Sequence, residues 1–172
     1  MNRRFWVEVR VSYDGVTEKG EKANMKETWL VRAATSAEAE SRATEKVCAY
    51  NGVEDVDVEA CVKRNIAAIW VSSINDGLMK FVKRNIAALW VSSINDGLMK
   101  FVKFYKVRCE GLLVNAETGK ERICKRNYLI MSPNMLDAYE TFVKCISDSE
   151  FSEFEVLGIN LTPIVKVLSD HE

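Results

Sequence analysis

Apolar and polar residues alternate from the start of the chain. In FWVEVRVSYDG (5–15), Phe5, Val7, Val9, Val11 and Tyr13 fall on one side of a pleat, which predicts a strand. The charged stretch TEKGEKAN (17–24) reads as a turn, and a second strand is expected over 27–33. The period then lengthens in SAEAESRATEKVCAYNG (36–52), which is rich in good helix formers. Ser36 after Thr35 predicts its N-cap, and Asn51-Gly52 its stop. Alternation returns over 53–62, where Val56, Val58, Ala60 and Val62 are in step.

The same order recurs from Phe104. FYKVRCEGLLVN predicts a strand, AETGKE a turn and RICKRNYLIM a strand. Ser132 is placed to cap a helix over 134–146, with Pro133 at its first position. A last strand is expected from Phe154 towards Leu168. Trp6 lines up with Phe104, Val9 with Val107 and Arg10 with Arg108. Trp29-Leu30-Val31 lines up with Tyr128-Leu129-Ile130, and Ala39 with Ala138. Val56, Val58 and Ile66 line up with Phe154, Val156 and Ile164. The pattern predicts an α+β fold: one domain, 1–172, made of two pseudo-repeated ββαβ units (about 4–70 and 102–168). One such unit buries little, so the two are expected to share a single antiparallel-rich sheet with both helices on one face.

Between the units the chain repeats itself almost letter for letter. Residues 62–81 read VKRNIAAIWVSSINDGLMKF, and 82–101 differ from them only in Leu89 for Ile69. Such near-identity beside diverged halves implies a recent tandem duplication. Asn75-Asp76-Gly77 and Asn95-Asp96-Gly97 are hairpin-turn signals, with 66–72 before and 78–82 after the first. Val62, Ile66, Ile69 and Trp70 also suit one helix face, but a strand is the preferred reading. The segment is expected to be an inserted, hairpin-like, tolerated extension of a loop, since loop closure costs only about 0.6 kcal/mol per doubling. The competing reading is an added edge for self-association.

Several stretches carry a resemblance. WVEVRVSY, KETWLVRAATSAEAESRATEKV and VDVEACVKRNIAAIW in the first half, and FYKVRCEGLLVNAETGKE and FEVLGINLTPIVKVL in the second, resemble a family from Bacteroidetes and their phages. That family is domain of unknown function 4494. The resemblance covers nearly the whole chain apart from one copy of the tandem segment. It implies an α+β fold and a gut-bacterial or phage setting, and brings no activity or catalytic residues with it.

Composition narrows the function classes. Apolar residues make up 48% of the 172 and charged residues 28%, ordinary globular values. The uncharged run 65–74 is too short to span a bilayer, and Glu8 and Arg10 break the N-terminal apolar run, so neither a membrane span nor a signal peptide is expected. The five cysteines (48, 61, 109, 124, 145) are widely spaced without a CxxC, which suits reduced thiols in a cytoplasmic protein. His171 is the sole histidine, so Cys-His, Ser-His-Asp and two-histidine metal arrangements cannot be built from this chain alone. Asp55, Asp57 and Glu59 alternate as a solvated face does, rather than as a cation site. No cofactor, metal or catalytic residue is expected.

A binding or assembly role remains, through a protein partner or self-association. Residues 62–130 carry thirteen Lys or Arg against five Asp or Glu, while 131–172 carry two against eight. Such blocks can face each other within one molecule or across two. The alternative is single-stranded nucleic acid, met by the basic and aromatic residues interleaved over 103–128: Phe104, Tyr105, Lys106, Arg108, Arg122, Lys125, Arg126 and Tyr128. The sequence pI of about 6.0 is far from the basic footprint of a dedicated nucleic-acid binder.

Overall fold

The computed structural model describes residues 4–72, 102–148 and 151–169. The chain forms two compact units, Met1–Arg64 with Pro163–Glu172, and Asn65–Thr162. The described residues are α+β, with eight strands in two four-stranded sheets and two helices.

In the first unit, β1 (Phe5–Val16) and β2 (Lys22–Ala33) form an antiparallel hairpin, in register from Phe5 opposite Ala33 to Val16 opposite Lys22. Its turn is closed by Gly20 N–H donating to the Thr17 carbonyl at 2.8 Å, with Gly20 at φ 81°, where a side chain would be strained. β3 (Asp57–Arg64) pairs antiparallel with the other side of β1, and β8 (Ile164–Leu168) pairs parallel with β2.

Helix α1 (Ser36–Asn51) is capped by Thr35 rather than Ser36. The Thr35 hydroxyl accepts from Glu38 N–H at 3.0 Å, and the Glu38 carboxylate accepts in return from Ala34 N–H at 2.9 Å. Gly52 ends the helix in the left-handed region at φ 65°. Ala39, Ala43 and Val47 are fully buried along one helix face. The sheet face beneath carries Val7, Val9, Val11, Trp29 and Val31, all at most 1% exposed.

In the second unit, β5 (Lys103–Val114) and β6 (Glu121–Ser132) form the central hairpin. β7 (Phe151–Leu161) flanks β5 antiparallel, and β4 (Ala68–Val71) flanks β6 in parallel. Helix α2 (Met135–Ile146) is capped by Asn134, whose side-chain oxygen accepts from Asp137 N–H at 2.9 Å; Ser132 instead donates its hydroxyl to the Asn134 carbonyl. Tyr105, Val107, Cys109, Tyr128 and Ile130 from the sheet pack with Ala138, Phe142 and Ile146 from α2. Trp70 stacks on Tyr128 with centroids 4.7 Å apart, and Phe142 meets Tyr128 edge-on at 5.4 Å.

Two expectations are corrected. The units do not share one sheet with both helices on one face: the strand orders are β3-β1-β2-β8 and β4-β6-β5-β7, and each sheet has its own helix. The reason is an exchange of edges. β8 fills the free side of β2 and β4 that of β6, so neither hairpin is left open for the other. The strand expected from Phe154 towards Leu168 is two strands, broken at Thr162-Pro163, where Thr162 anchors to the Phe104 carbonyl through its N–H and its hydroxyl, both at 2.8 Å. Strand was the right reading for 68–71, although it pairs in parallel with β6. The turn signals at 75–77 and 95–97, the stretch 78–82 and His171 lie outside the described residues.

Candidate interaction surfaces

Alternation along β5 and β6 sorts the eight basic and aromatic residues onto two faces. Val107 opposes Tyr128 and Arg108 opposes Asn127, so Tyr105, Arg122, Arg126 and Tyr128 lie on the helix side. Phe104, Lys106, Arg108 and Lys125 lie on the other. All three rings are buried: Phe104 is 6% exposed, Tyr105 7% and Tyr128 3%. Burial pushes the Tyr128 phenol up, and the neighbouring Arg126 works against that shift.

The cations stay outside. Lys106, Arg108, Arg122 and Lys125 are exposed, and Lys125 reaches Glu110 at 3.1 Å. Arg126 lies over the Phe151 ring, 4.9 Å from its centre. Basic residues and rings are therefore not brought together into one exposed stacking surface. What remains accessible on the face away from α2 is a pair of cations, Lys106 and Arg108, flanked in register by Asn127 and Asn160.

A second surface went unread in the sequence. On α2, Met135 is 49% exposed, Leu136 65% and Tyr139 43%, beside half-buried Val143. Met135, Leu136 and Tyr139 sit within about one turn of one another and form an exposed apolar patch at the start of α2, while Val143 packs against the core. That spacing was the available signal. The positions of α1 that correspond to 135, 136 and 139 carry Ser36, Ala37 and Glu40. The α2 patch is bordered by Asp137 and Glu140.

Two buried polar clusters occur in the first unit. Glu8, 6% exposed, receives Arg64 Nε on Oε2 at 2.8 Å, Arg64 Nη2 on Oε1 at 3.0 Å and Arg10 Nη2 on Oε1 at 3.1 Å. Burial pushes this carboxyl up, but the hydrogen bonds and charges of the two guanidiniums outweigh it and hold Glu8 below the usual carboxylate range. Elsewhere, Tyr13 donates its hydroxyl to Glu27 Oε1 at 2.6 Å, and Trp29 Nε1–H donates to Oε2 at 2.7 Å. Burial first, then the Glu27 hydrogen bond and charge, raise the Tyr13 phenol well above its ordinary value, with Asn51 acting weakly in the other direction.

Near Asn51 a cleft of about 660 Å³ opens between the β1–β2 hairpin and the end of α1, lined by Asp14, Val16, Lys22, Asn24, Asn51 and Val53. The Asn51 amide nitrogen is buried there beside the Tyr13 phenol, on which it acts. Of the three acids weighed as a cation site, Glu59 is engaged by Lys26 at 2.6 Å, and that hydrogen bond holds its carboxyl below the ordinary range. No group of three His, Cys, Asp or Glu suited to a metal occurs among the described residues. Nor is any described helix long and apolar enough to cross a membrane.

No curated protein matches the chain. A family does, over residues 5–170, which takes in both units. On that match the chain belongs to the family described as Domain of unknown function (DUF4494).

Proposed function

We propose that the protein is a non-enzymatic interaction component that engages another protein through the exposed apolar patch at the start of α2. The observation that carries this reading is the cluster of Met135, Leu136 and Tyr139, three large apolar side chains between 43% and 65% exposed on adjoining helical turns. Side by side they form a contiguous exposed apolar patch, and on a monomer such a patch is often an interaction site. Met and aromatic residues are also enriched at protein interfaces. We further read the two units as diverged copies of one ancestral segment, and 82–101 as a later duplication of 62–81. Matching strand orders support the first, and nineteen shared letters in twenty support the second. We also place it in the cytoplasm of a gut bacterium or its phage, a reading supported by the family resemblance and by five unpaired cysteines.

The test is photo-crosslinking from position 136 in the expressing organism, with exposed position 45 on α1 as the matched control. Protein adducts formed from 136 and not from 45 support the reading; equal yields, or none, overturn it.

The exposed Lys106 and Arg108 favour a second reading, contact with a single-stranded nucleic-acid backbone. It expects salt-dependent retention of an oligonucleotide that Lys106→Glu with Arg108→Glu abolishes and Leu136→Lys leaves alone. Retention unchanged by the first pair would remove it.

A further inference from the structure

The free side of β6 is a slot for one short strand. β4 lies at the border of its sheet and pairs with β6 alone, from Ala68 opposite Tyr128 to Val71 opposite Met131. Ala67 N–H donates to the Asn127 carbonyl at 2.8 Å and Ser72 N–H to the Met131 carbonyl at 2.9 Å, which fixes the two ends. The Asn127 side chain donates to the Asn65 carbonyl at 3.1 Å. Ile69 and Val71 are 3% and 4% exposed, and Trp70 meets Phe142 as well as Tyr128, with 6.0 Å between ring centres. All the groups that fill the slot in these contacts come from residues 65–72.

The chain carries those residues twice. Residues 85–92 repeat 65–72 with one change, Leu89 for Ile69. For each contact above, the second copy has the same group to offer: the carbonyl of Asn85, the N–H groups of Ala87 and Ser92, the ring of Trp90 and the apolar side chains of Leu89 and Val91. One slot thus has two strands that fit it. An edge strand also leaves without breaking another ladder, since β6 keeps its pairing with β5.

We propose that residues 88–91 exchange with 68–71 on the free side of β6, so that the protein has two alternative pairings of one sheet. β3 stays in place up to Arg64 in both, with its hold on Glu8. The pairings differ in where twenty residues of chain are spent. With 68–71 in the slot, the spans to β3 and β5 are 65–67 and 72–102, three and 31 residues. With 88–91 there, they are 65–87 and 92–102, 23 and 11 residues. Closure entropy grows as the logarithm of span length, so it favours the first pairing by only about fivefold. Ile rather than Leu at the buried position adds up to about tenfold in the same direction. Roughly 2–20% of molecules then hold the second pairing. Anything that binds the copy outside the slot shifts this balance by its differential affinity for the two pairings. The duplication acts as a switch within the sheet, independently of any contact at α2.

Urea unfolding of the full chain tests it, in an Ile69→Leu background that makes the two copies identical and leaves only the closure difference between the pairings. Adding Trp70→Ala is expected to lower the folding constant about fivefold, because Trp90 takes the place beside Tyr128. Adding Trp90→Ala instead should change it less than about twofold. With both substitutions no ring remains for the slot, and the constant should fall more than about a hundredfold. Nuclear Overhauser contacts between the Trp90 indole and the Tyr128 ring should be present in the Trp70→Ala protein, and in the Ile69→Leu background alone at about a fifth of the strength of those from Trp70. If Trp70→Ala costs as much as the double substitution, whatever the size of the loss, the exchange is overturned. A Trp70→Ala protein that lacks the Trp90–Tyr128 contacts overturns it as well.

Discussion

The two tandem copies should be interchangeable. Deleting 82–101 leaves Ile69 in β4; deleting 62–81 joins Cys61 to Val82 and puts Leu89 at that place, with every other residue of the shortened chains the same. The duplicated stretch supplies a working residue to each unit. Arg64 holds Glu8 at 2.8 Å and 3.0 Å, and Trp70 stacks on Tyr128 at 4.7 Å. After the second deletion Arg84 and Trp90 must take those parts. The difference reduces to Ile against Leu at a site 3% exposed, opposite Leu129. The two have equal volume, so a swap with repacking costs under about 1.5 kcal/mol, with β-branched Ile favoured in a strand. At about 2–4 °C per kcal/mol for a chain of this size, the two shortened proteins should melt within roughly 5 °C of each other, the Ile form higher. Near-UV circular dichroism and tryptophan fluorescence on heating and in urea read this directly. Trp70→Ala in the 82–101 deletion, where no spare copy remains, should cost about 3–5 kcal/mol. If either deletion fails to fold, or the two differ by more than about 3 kcal/mol, the copies are not equivalent and the reasoning is wrong.

Other substitutions follow from the polar clusters and one close approach. Glu8→Gln should cost about 1–2 kcal/mol at neutral pH, less than a fully buried pair because both guanidiniums are nearly half exposed. Since the folded Glu8 carboxyl is depressed, its contribution is present above the unfolded carboxylate value and lost as pH falls through the folded one; urea melts of the variant should show a shallower acid decline than the parent. Tyr13 is raised, so its contribution is intact below the unfolded phenol value of about 10 and declines as pH climbs beyond it, and Tyr13→Phe should flatten that alkaline limb while costing about 1–2 kcal/mol. A Cβ on Gly111 would meet the Phe151 ring at 2.5 Å, so Gly111→Ala should lower stability by about 1–3 kcal/mol in the same melts; a neutral result would show that Phe151 swings clear.

Local pattern carried the elements further than their partners. The alternation through Val7, Val9 and Val11 is that of the buried face of β1, and Gly52 stops α1 as its sequence context implies. Both caps moved because neighbouring residues compete for them: Thr35 precedes Ser36, and Asn134 follows Ser132. The start of β2 is at Lys22 rather than 27 because Lys22, Asn24 and Lys26 are exposed and polar, held in the strand by pairing with β1 and not by burial. Which edge a short strand joins leaves no local trace, so the parallel pairings of β4 and β8 could not be read. The division of the basic-aromatic residues was legible in principle, since Tyr105 and Lys106 are adjacent on a strand and must point opposite ways. Recognising the α2 patch needed only the spacing of Met135, Leu136 and Tyr139, but its exposure depends on which helix face the sheet takes.

The pairing of β8 with β2 sets a schedule for synthesis. Everything else in the first unit's sheet has been translated by Arg64, yet its last strand begins at Ile164. At about 5–20 residues per second, roughly 5–20 seconds of elongation separate the two. Throughout that interval the nascent β2 has Thr28, Trp29, Leu30 and Val31 along an edge whose native partner does not yet exist. A growing chain in a polysome thus displays a sticky border next to identical borders on its neighbours. The C-terminal residues 164–168 act as a late seal, and a ribosome that stalls or stops before them releases a product with that border open.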